Sequence, residues 1–335
     1  MKITELGEFE FIKRIAKYFK KIPANIIGIG DDCAVIDYDK SSCMLVTTDM
    51  LVEDVHFIKN KINPFDLGKK SIAVNISDIA AMGGKPHYTF ISFGIPSDTD
   101  IEWLDNFYNG MKKMIEGYDI FLLGGDTTKS PEKLIINIVI VGFVEKKFLK
   151  LRSGAKIGDA VCVTGFLGDS AAGLKLLLNN KETLDQDEAY LVNWHNCPVP
   201  HLEEGMWLAR FDSVNSMMDV SDGIDSDIKR IMEMSNCSAE IYLNALPLSP
   251  QFNRICDRYN WNKYELAATG GEDYCLLVTI DFNHFNEIAD KFTRKFSRQL
   301  VMIGKILDSK SSFSYYLRGE KTSIKSIGYD HFLVK

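Results

Sequence analysis

The sequence lacks three features that would place the protein in a membrane, outside the cell or among zinc-ribbon proteins. The longest apolar run, residues 134–144 (LIINIVIVGFV), is too short to cross a bilayer as a helix. The seven cysteines form no C-x-x-C pair and are irregularly spaced, which argues against a disulfide framework or a zinc ribbon. The first residues, MKITELGEFEF, contain no signal-peptide apolar region. These absences predict a cytoplasmic protein with no membrane partner.

The sequence also lacks an excess of positive charge. It has 39 Lys and Arg residues against 46 Asp and Glu residues, which gives a formal net charge of −7. The one basic run, residues 13–21, lies on an amphipathic pattern that is typical of a solvated helix face. Because nucleic-acid binders need a broad basic surface to neutralise phosphates, we expect no nucleic-acid partner.

The length of 335 residues predicts two domains, since a typical domain has about 150 residues. The charged, glycine-containing stretch 145–159 (EKKFLKLRSGAKIGD) breaks the apolar pattern, so we place the domains at residues 1–148 and 149–335. Both halves mix helical and strand-like periodicity, which indicates an α/β or α+β fold. Helices are expected at 68–82, 101–115, 170–178 and from 224; strands are expected at 43–46, 118–123, 134–144, 160–164, 274–280 and 300–307.

Aspartates beside small residues recur along the chain, each next to an apolar stretch. The five phrases are GIGDD (28–32), TTD (47–49), NISD (75–78), GGDTT (124–128) and MDVSDG (218–223). Such aspartates commonly make turns and helix caps, and for any one phrase this is the more frequent role; Asp222 fits an N-cap and Asp32 a turn. Asp78 is the exception, because a carboxylate in an apolar, small-residue helix is costly to bury unless a cation pairs with it.

Five such phrases together favour a site for divalent cations and phosphate. Carboxylate oxygens are ligands for Mg²⁺, and bound cations reverse the repulsion that clustered carboxylates would exert on a polyphosphate. The reaction class that this indicates is phosphoryl transfer. The sequence contains no G-x-x-x-x-G-K-[ST] and no H-R-D or D-F-G set, so it is neither a P-loop enzyme nor a protein kinase.

The same phrases, in the same order, resemble the thiamine-monophosphate kinase family. The resemblance covers nearly the whole chain and rests on IGDDCAV, TTDMLVEDVHF, AVNISDIAAMGGKP, GGDTT, LRSGAKIGDAVCVTGFLGDSAAGL, MDVSDGIDSDI, GGEDYCLL and GYDHF. The family belongs to the superfamily that includes aminoimidazole ribonucleotide synthetase and selenophosphate synthetase. The implied fold has two domains, an N-terminal domain that dimerises and a C-terminal α/β domain, with ATP and metals near the cleft of a homodimer.

The resemblance implies transfer of the γ-phosphoryl group of ATP to thiamine monophosphate, with several Mg²⁺ ions. The implied magnesium positions are Asp31, Thr47, Thr48, Asp49, Asp78, Asp126, Asp219 and Asp222. The implied ATP positions are Tyr108, Gly125, Asp126, Arg152 and Ser221, and the implied thiamine-phosphate positions are His56, Glu272 and Tyr329. Catalysis is assigned to Asp49, Asp126 and Arg152. Because the acceptor phosphate is already anionic at pH 7, we expect direct in-line transfer without a general base or a phospho-enzyme.

Several of these residues have simpler structural roles that stay open. Arg152 alone would be a surface ion-pair residue, and Tyr108 lies on the apolar stripe of its helix. His56 fits an ordinary half-buried histidine, Glu272 a turn, and Tyr329 the packing of the C-terminal tail.

The chain departs from the family pattern at three positions, with Asp54 for glycine, His201 for arginine and Cys275 for an acidic residue. Other ATP-using superfamily members and a non-catalytic sensor with the same fold are the alternatives. The sequence lacks an N-terminal reactive cysteine and a C-terminal cysteine, which selenophosphate synthetase and the hydrogenase-maturation relative respectively require.

Overall fold

Two β-sheets and their flanking helices make up the computed structural model, which describes residues 2–19, 21–179, 181, 183–325 and 331–332. The first half contains helices α1 (Ile3–Leu6), α2 (Glu8–Ala16), α3 (Pro64–Ala81) and α4 (Ile101–Gly117). Its strands are β1 (Ile26–Ile27), β2 (Ala34–Asp37), β3 (Ser42–Val52), β4 (Lys85–Pro96), β5 (Phe121–Ser130) and β6 (Ile135–Glu145). They form one sheet in the order β1-β2-β3-β6-β4-β5, in which only β4 and β5 pair in parallel.

The second half contains strands β7 (Ala160–Val163), β8 (Val214–Asp219), β9 (Ser238–Tyr242), β10 (Leu276–Ile280), β11 (Val301–Leu307), β12 (Ser314–Leu317) and β13 (Glu320–Thr322). They form a larger mixed sheet in the order β13-β12-β9-β11-β7-β10-β8. Its helices are α5 (Asp169–Leu178), α6 (Gln186–Asn196), α7 (Leu202–Leu208), α8 (Ile224–Ser235), α9 (Pro250–Tyr259), α10 (Lys263–Thr269) and α11 (Phe282–Phe296). The mixed α/β class is therefore confirmed.

Helix α3 joins the two halves. It begins with Asn63 as N-cap and Pro64 in its first turn, a combination that favours helix initiation. Most of its side chains are buried, because one side of the helix covers the first sheet while another contacts α7 and β8 of the second half. Ile72, Ile76 and Ile79 are completely buried in a core that also contains residues of the second half. The division at residue 148 stays a prediction, and any domains so defined share this core.

The first sheet has one covered face and one exposed face. Alternate residues of β3 point to opposite sides, so Leu45, Thr47 and Leu51 are buried toward α3, whereas Thr48 and Met50 are exposed on the other side. The exposed face also carries Tyr88 and Phe90 of β4. The three residues of TTD therefore point to different sides of the sheet: Thr47 and Asp49 lie on the covered side, and Thr48 lies on the exposed side.

The predicted helices and most predicted strands are present, but two strands extend further than expected. Strand β3 continues through Thr47, Thr48 and Asp49, and β5 continues through Gly124, Gly125 and Asp126. The expectation that these two phrases form turns after short strands is wrong, because both are paired along their length with neighbouring strands. Asp78, as predicted, lies inside a buried helix.

Candidate active site

Three aspartates from distant parts of the chain converge at the junction of the two halves. Asp32 follows β1, Asp78 lies near the end of α3, and Asp219 ends β8. One carboxylate oxygen from each lies within 4.8 Å of the oxygens of the other two. Asp32 and Asp219 are buried and Asp78 is half-buried, so this carboxylate cluster is largely shielded from solvent.

The neighbouring hydroxyl groups orient the carboxylate cluster without neutralising it. The Ser77 hydroxyl donates a hydrogen bond of 2.7 Å to Asp219 Oδ2, and the Thr47 hydroxyl donates to Asp78 Oδ2. Asp32 Oδ2 and Asp219 Oδ1 are buried and accept no hydrogen bond from any described residue. Buried carboxylate oxygens without donors are expensive, and hard cations bind such oxygens. The donor set therefore fits Mg²⁺.

Burial and mutual repulsion raise the carboxylate pKa values around this cluster. The pKa of Asp219 is raised to about 8, mainly by loss of solvent and then by the charge of Asp32. Burial and the charge of Asp222 raise the pKa of Asp49 to about 6. Burial followed by Asp49 and Asp219 raises the pKa of Asp78 well above its usual range. A site that resists ionisation in this way gains most from a bound cation.

Arg152 is the cation that the chain itself supplies to the cluster. Its Nη2 donates a hydrogen bond of 2.5 Å to Asp32 Oδ1, and its backbone N–H lies 3.2 Å from both oxygens of Asp31. Burial tends to lower the pKa of Arg152, but Asp32 outweighs it, so the pKa is raised and the guanidinium stays charged. Its Nε is buried and has no acceptor among the described residues. Arg152 therefore lies inside the site with one N–H group still available.

A second polar cluster lies around Glu272. The buried Nζ of Lys70 donates to Glu272 Oε2 at 3.1 Å, and His195 Nδ1 lies 3.2 Å from the same oxygen. Glu272 has a φ of 62°, a left-handed conformation that is uncommon outside glycine. His56 is near enough to exert an electrostatic effect on Glu272. We call Lys70, His195 and Glu272 the Glu272 cluster.

The chain resembles known proteins over nearly its whole length. The family model "AIR synthase related protein, N-terminal domain" matches residues 30–144. Thiamine-monophosphate kinase from Haemophilus influenzae is 38% identical over 98% of both chains, and that from Aquifex aeolicus is 36% identical over 99% of this chain and 100% of its own. The chain belongs to the thiamine-monophosphate kinase family. A solved structure described as "AaThiL complexed with AMPPCP and TMP" has 34% identity, 99% coverage of both chains and a TM-score of 0.87.

Two predicted ligands of this thiamine-monophosphate kinase family member do not join the carboxylate cluster within one chain. Asp126 of β5 lies opposite Ser92 of β4 in the sheet. Ser92 lies opposite Asn137 of β6, and Asn137 lies opposite Met50 of β3. Three strand spacings therefore separate Asp126 from β3, or roughly 14 Å. Asp126 also lies on the exposed face of the sheet. Thr48 is on that face too, and its hydroxyl donates to Asn137 Oδ1 at 3.1 Å.

The other predicted positions differ in how near they lie to the clusters. Asp31 lies beside the carboxylate cluster and contacts Arg152, and burial followed by the charge of Asp32 raises its pKa to about 7. The backbone N–H of Asp49 donates a hydrogen bond to Asn75 Oδ1, 3.1 Å away. Asp222 pairs with Arg230 at 2.6 Å rather than capping α8, whose N-cap is Gly223.

The predicted nucleotide and substrate positions have these surroundings. The Tyr108 ring packs edge-on against Phe107 with centroids 5.5 Å apart, and Gly125 lies beside Asp126 on β5. The Ser221 carbonyl accepts the backbone N–H of Glu272 at 2.7 Å. His56 Nδ1 accepts the Val52 N–H at 3.0 Å. Tyr329 lies outside the described residues.

The departures from the family pattern have local compensation. Asp54 has a φ of 66°, the conformation for which glycine is favoured, and its carboxylate pairs with Lys133. His201 is buried, and Arg298 Nη1 lies 3.2 Å from its Nε2, so a guanidinium is supplied from elsewhere in the chain. Cys275 is buried in the apolar core of the second half.

Sequence reasoning missed several residues that the structure places in the two clusters. Asp32 is absent from the predicted magnesium positions, although it directly follows Asp31 in GDD. Ser77 is part of NISD, so its position beside Asp78 was a usable signal. Lys70 and His195 had none, because each is an ordinary residue of its helix until the fold brings it to Glu272.

Proposed function

We propose that the chain transfers the γ-phosphoryl group of ATP directly to the phosphate of thiamine monophosphate, giving thiamine diphosphate and ADP. The observation that carries this proposal is the convergence of Asp32, Asp78 and Asp219 beside the buried Arg152, in a member of the thiamine-monophosphate kinase family. Anionic oxygens and a fixed guanidinium are the components that phosphoryl transfer requires. The ATP analogue and TMP described with the AaThiL relative support the same pair of substrates.

Mg²⁺ is the cation that these oxygens would hold. Asp32, Asp78 and Asp219 are the central ligands, with Asp49 and Thr47 next to them on the covered face of β3. When bound, Mg²⁺ would neutralise phosphate charge as it moves between donor and acceptor. Asp31 and Asp222 would be additional ligands. Asp31 accepts the backbone N–H of Arg152, and Asp222 pairs with the Arg230 side chain.

Arg152 would position the transferring phosphate. Its side chain is fixed by Asp32 on one edge, so the unsatisfied Nε–H can donate to a phosphate oxygen without first reorganising. The acceptor oxygen of thiamine monophosphate is anionic near neutrality, since the second pKa of a phosphate monoester is about 6. The chain therefore needs no general base, and its contribution is orientation and charge complementarity.

The Glu272 cluster would hold the thiamine end of the acceptor. Glu272 presents a carboxylate to accept hydrogen bonds from the aminopyrimidine, and His56 is near enough to act on that carboxylate electrostatically. Tyr329 would stack on the cationic ring system, an attraction of about 0.5–2 kcal/mol. Ser221 connects the carboxylate cluster with the Glu272 cluster. It lies two residues after Asp219, and its carbonyl accepts the backbone N–H of Glu272.

A homodimer would complete the site with Asp126, Gly125, Thr48 and Tyr108. The exposed face of the first sheet is rich in apolar side chains, with Met50 53% and Phe121 57% exposed, and monomeric proteins rarely leave such a surface uncovered. Asp126 lies on this face and on the edge strand β5. Pairing of two copies through this face would carry Asp126 of one copy toward the carboxylate cluster of the other.

A cytoplasmic location is consistent with the described cysteines. All seven thiols are free, as expected in a reducing compartment. Across the described ranges, no helix combines the length and apolarity needed to cross a membrane.

ADP release from ATP, measured with and without thiamine monophosphate, tests the proposed reaction. We expect release to depend on thiamine monophosphate and to stop when Mg²⁺ is removed with a chelator. ADP release that ignores the thiamine compound would overturn the proposed acceptor. Tight binding of both nucleotide and thiamine monophosphate without turnover would instead favour the non-catalytic sensor.

Mixed dimers test the shared site. Asp78→Asn and Asp126→Asn would each inactivate a homodimer, but a mixture refolded together should regain activity in the heterodimers. If the two residues act in the same copy, each chain of the heterodimer carries a defect in its own site, so no intact site remains and no activity returns. Wild type mixed with the double variant gives the converse result: a shared site predicts two damaged sites per heterodimer, whereas a single-chain site predicts one intact site.

A further inference from the structure

Lys70 is a buried cation that the phosphoryl-transfer chemistry does not use. Its side chain has no solvent exposure, and it lies in the second turn of α3. Its Nζ makes two hydrogen bonds, each of 3.1 Å, to Glu272 Oε2 and to the backbone carbonyl of His195. Buried lysines are rare unless paired, so this contact defines the environment of Glu272 as much as that of Lys70.

The Glu272 carboxylate is anchored through only one of its oxygens. Lys70 and His195 both contact Oε2 from the buried side, while the side chain as a whole is 24% exposed. Within the part of the chain that the structure describes, Oε1 has no hydrogen-bond partner. The carboxylate therefore has one oxygen fixed by the protein and one available to a ligand.

The two anchoring groups carry different charges. Burial, followed by the charge of Lys70, lowers the pKa of His195 to about 3, so the imidazole is neutral at pH 7. Lys70 is then the cation that keeps Glu272 ionised, and its charge contributes to a lowered pKa of that carboxyl despite burial. The backbone is fixed as well, because the N–H of Glu272 donates to the Ser221 carbonyl.

We propose that Lys70 is a positioning residue for thiamine monophosphate, acting through Glu272 by fixing its Oε2 so that Oε1 faces the substrate. This inference rests on the proposed substrate role of Glu272. A cation held behind the carboxylate, rather than a neutral donor, maintains the charged acceptor that an aminopyrimidine N–H needs. The selectivity of the acceptor site thus depends on a lysine that does not touch the acceptor.

Steady-state kinetics of Lys70→Met, varied separately in each substrate, tests the proposal. We expect the KM for thiamine monophosphate to rise about tenfold or more, because a charge-assisted contact is lost and Glu272 is left unpaired. The KM for ATP should stay within about twofold, since Arg152 and the carboxylate cluster are untouched. Lys150→Met is the matched control, because Lys150 is also buried and, among the described residues, its Nζ donates only to the carbonyls of Phe211 and Val214.

The double variant Lys70→Met/Glu272→Gln keeps the test decisive if Lys70→Met folds poorly. It removes both charges together, so no unpaired buried charge remains. If Lys70 acts through Glu272, the double variant should have the same KM for thiamine monophosphate as Glu272→Gln alone.

Four outcomes would overturn the proposal. A KM for thiamine monophosphate that rises equally in Lys150→Met would show a general effect of destabilisation. Additive effects of Lys70→Met and Glu272→Gln would show that Lys70 acts independently of Glu272. A wild-type chain that does not consume thiamine monophosphate would refute the proposed function, and the Lys70 proposal with it. Normal wild-type turnover together with an unchanged KM for thiamine monophosphate in Lys70→Met would refute the Lys70 proposal alone.

Discussion

Replacing Asp219 with asparagine should stabilise the metal-free protein while it slows the phosphoryl transfer. The pKa of Asp219 lies at about 8 instead of its usual 3.8, mainly because the carboxyl is buried. A carboxyl with a raised folded-state pKa costs no stability below pH 3.8, and its cost grows as the pH rises to about 8. Asparagine does not ionise, and its amide oxygen can still accept the Ser77 hydroxyl, which donates to Asp219 at 2.7 Å.

The size of the expected stabilisation follows from the raised pKa of Asp219. Each pKa unit corresponds to 1.36 kcal/mol, so a rise from 3.8 to about 8 sets an upper bound of about 6 kcal/mol. Buried charges replaced by well-packed neutral groups typically yield about 1–4 kcal/mol, which is the gain we expect at pH 8. For domains of this size that gain corresponds to an increase in Tm of roughly 3–12 °C.

Thermal unfolding at pH 8 in a chelator and in excess Mg²⁺ measures both parts of this prediction. The wild type should be stabilised by Mg²⁺ and Asp219→Asn should not, while the rate of ADP formation should fall about 10²–10³-fold. Asp169→Asn is the control, since Asp169 is also buried but bonds to Ser249 and Tyr190. Its Tm shift should be the same with and without Mg²⁺. A lower Tm for Asp219→Asn in chelator, or an undiminished response to Mg²⁺, would refute the reasoning.

Three further predictions concern the cation, the arginine and the dimer. Mg²⁺ must displace a proton from Asp219, whose pKa is about 8, so its affinity should rise by about tenfold per pH unit between pH 6 and pH 8, whereas Asp49, with a pKa of about 6, contributes mainly below pH 6. Calorimetry in two buffers counts those protons, and an affinity that is independent of pH would contradict the prediction. Arg152→Lys keeps the charge but loses the planar fork, so kcat should fall by about 10²-fold in ADP-release assays, and full activity would exclude a role for guanidinium geometry. Phe90→Arg on the exposed sheet face should yield an inactive monomer by sedimentation, and an unchanged dimer would place the interface elsewhere.

Local periodicity was enough to predict the helices that build the site. The apolar spacing in residues 68–82 indicated α3, and the misfit of Asp78 within that pattern pointed to a cation site. Both inferences need only neighbours along the chain, because helical hydrogen bonds and side-chain faces repeat every few residues. The family resemblance then supplied the reaction.

Residues that favour turns do not indicate the local structure where pairing between distant strands dominates. The phrases TTD and GGDTT contain residues that favour turns, yet both lie in strands held by their neighbours in the sheet. A Cβ at Gly125 would lie 1.8 Å from the Ile91 carbonyl oxygen, so glycine is needed there for close approach of β4 and not for a turn. Such contacts depend on residues more than thirty positions away, which no local pattern encodes.

The same limit applies to partners of buried charges. Asp273 accepts the N–H groups of Gly168 and Ser170 and so caps α5 from about a hundred residues away. Lys70 and Glu272 are similarly remote in sequence. A buried ion pair needs both members in place, and only the folded chain shows which two have met.

Helix α3 explains why these remote contacts amount to one site. It carries Lys70 toward the Glu272 cluster and Ser77 and Asp78 toward the carboxylate cluster. Asp78 lies eight positions after Lys70, and a rise of 1.5 Å per residue places their backbones about 12 Å apart along a rigid, buried helix. Because α3 is packed between the halves, neither cluster can shift along it independently. The distance between the two clusters is therefore fixed. A substrate with a pyrimidine at one end and a phosphate at the other must match that distance, so both ends of the substrate would be selected together.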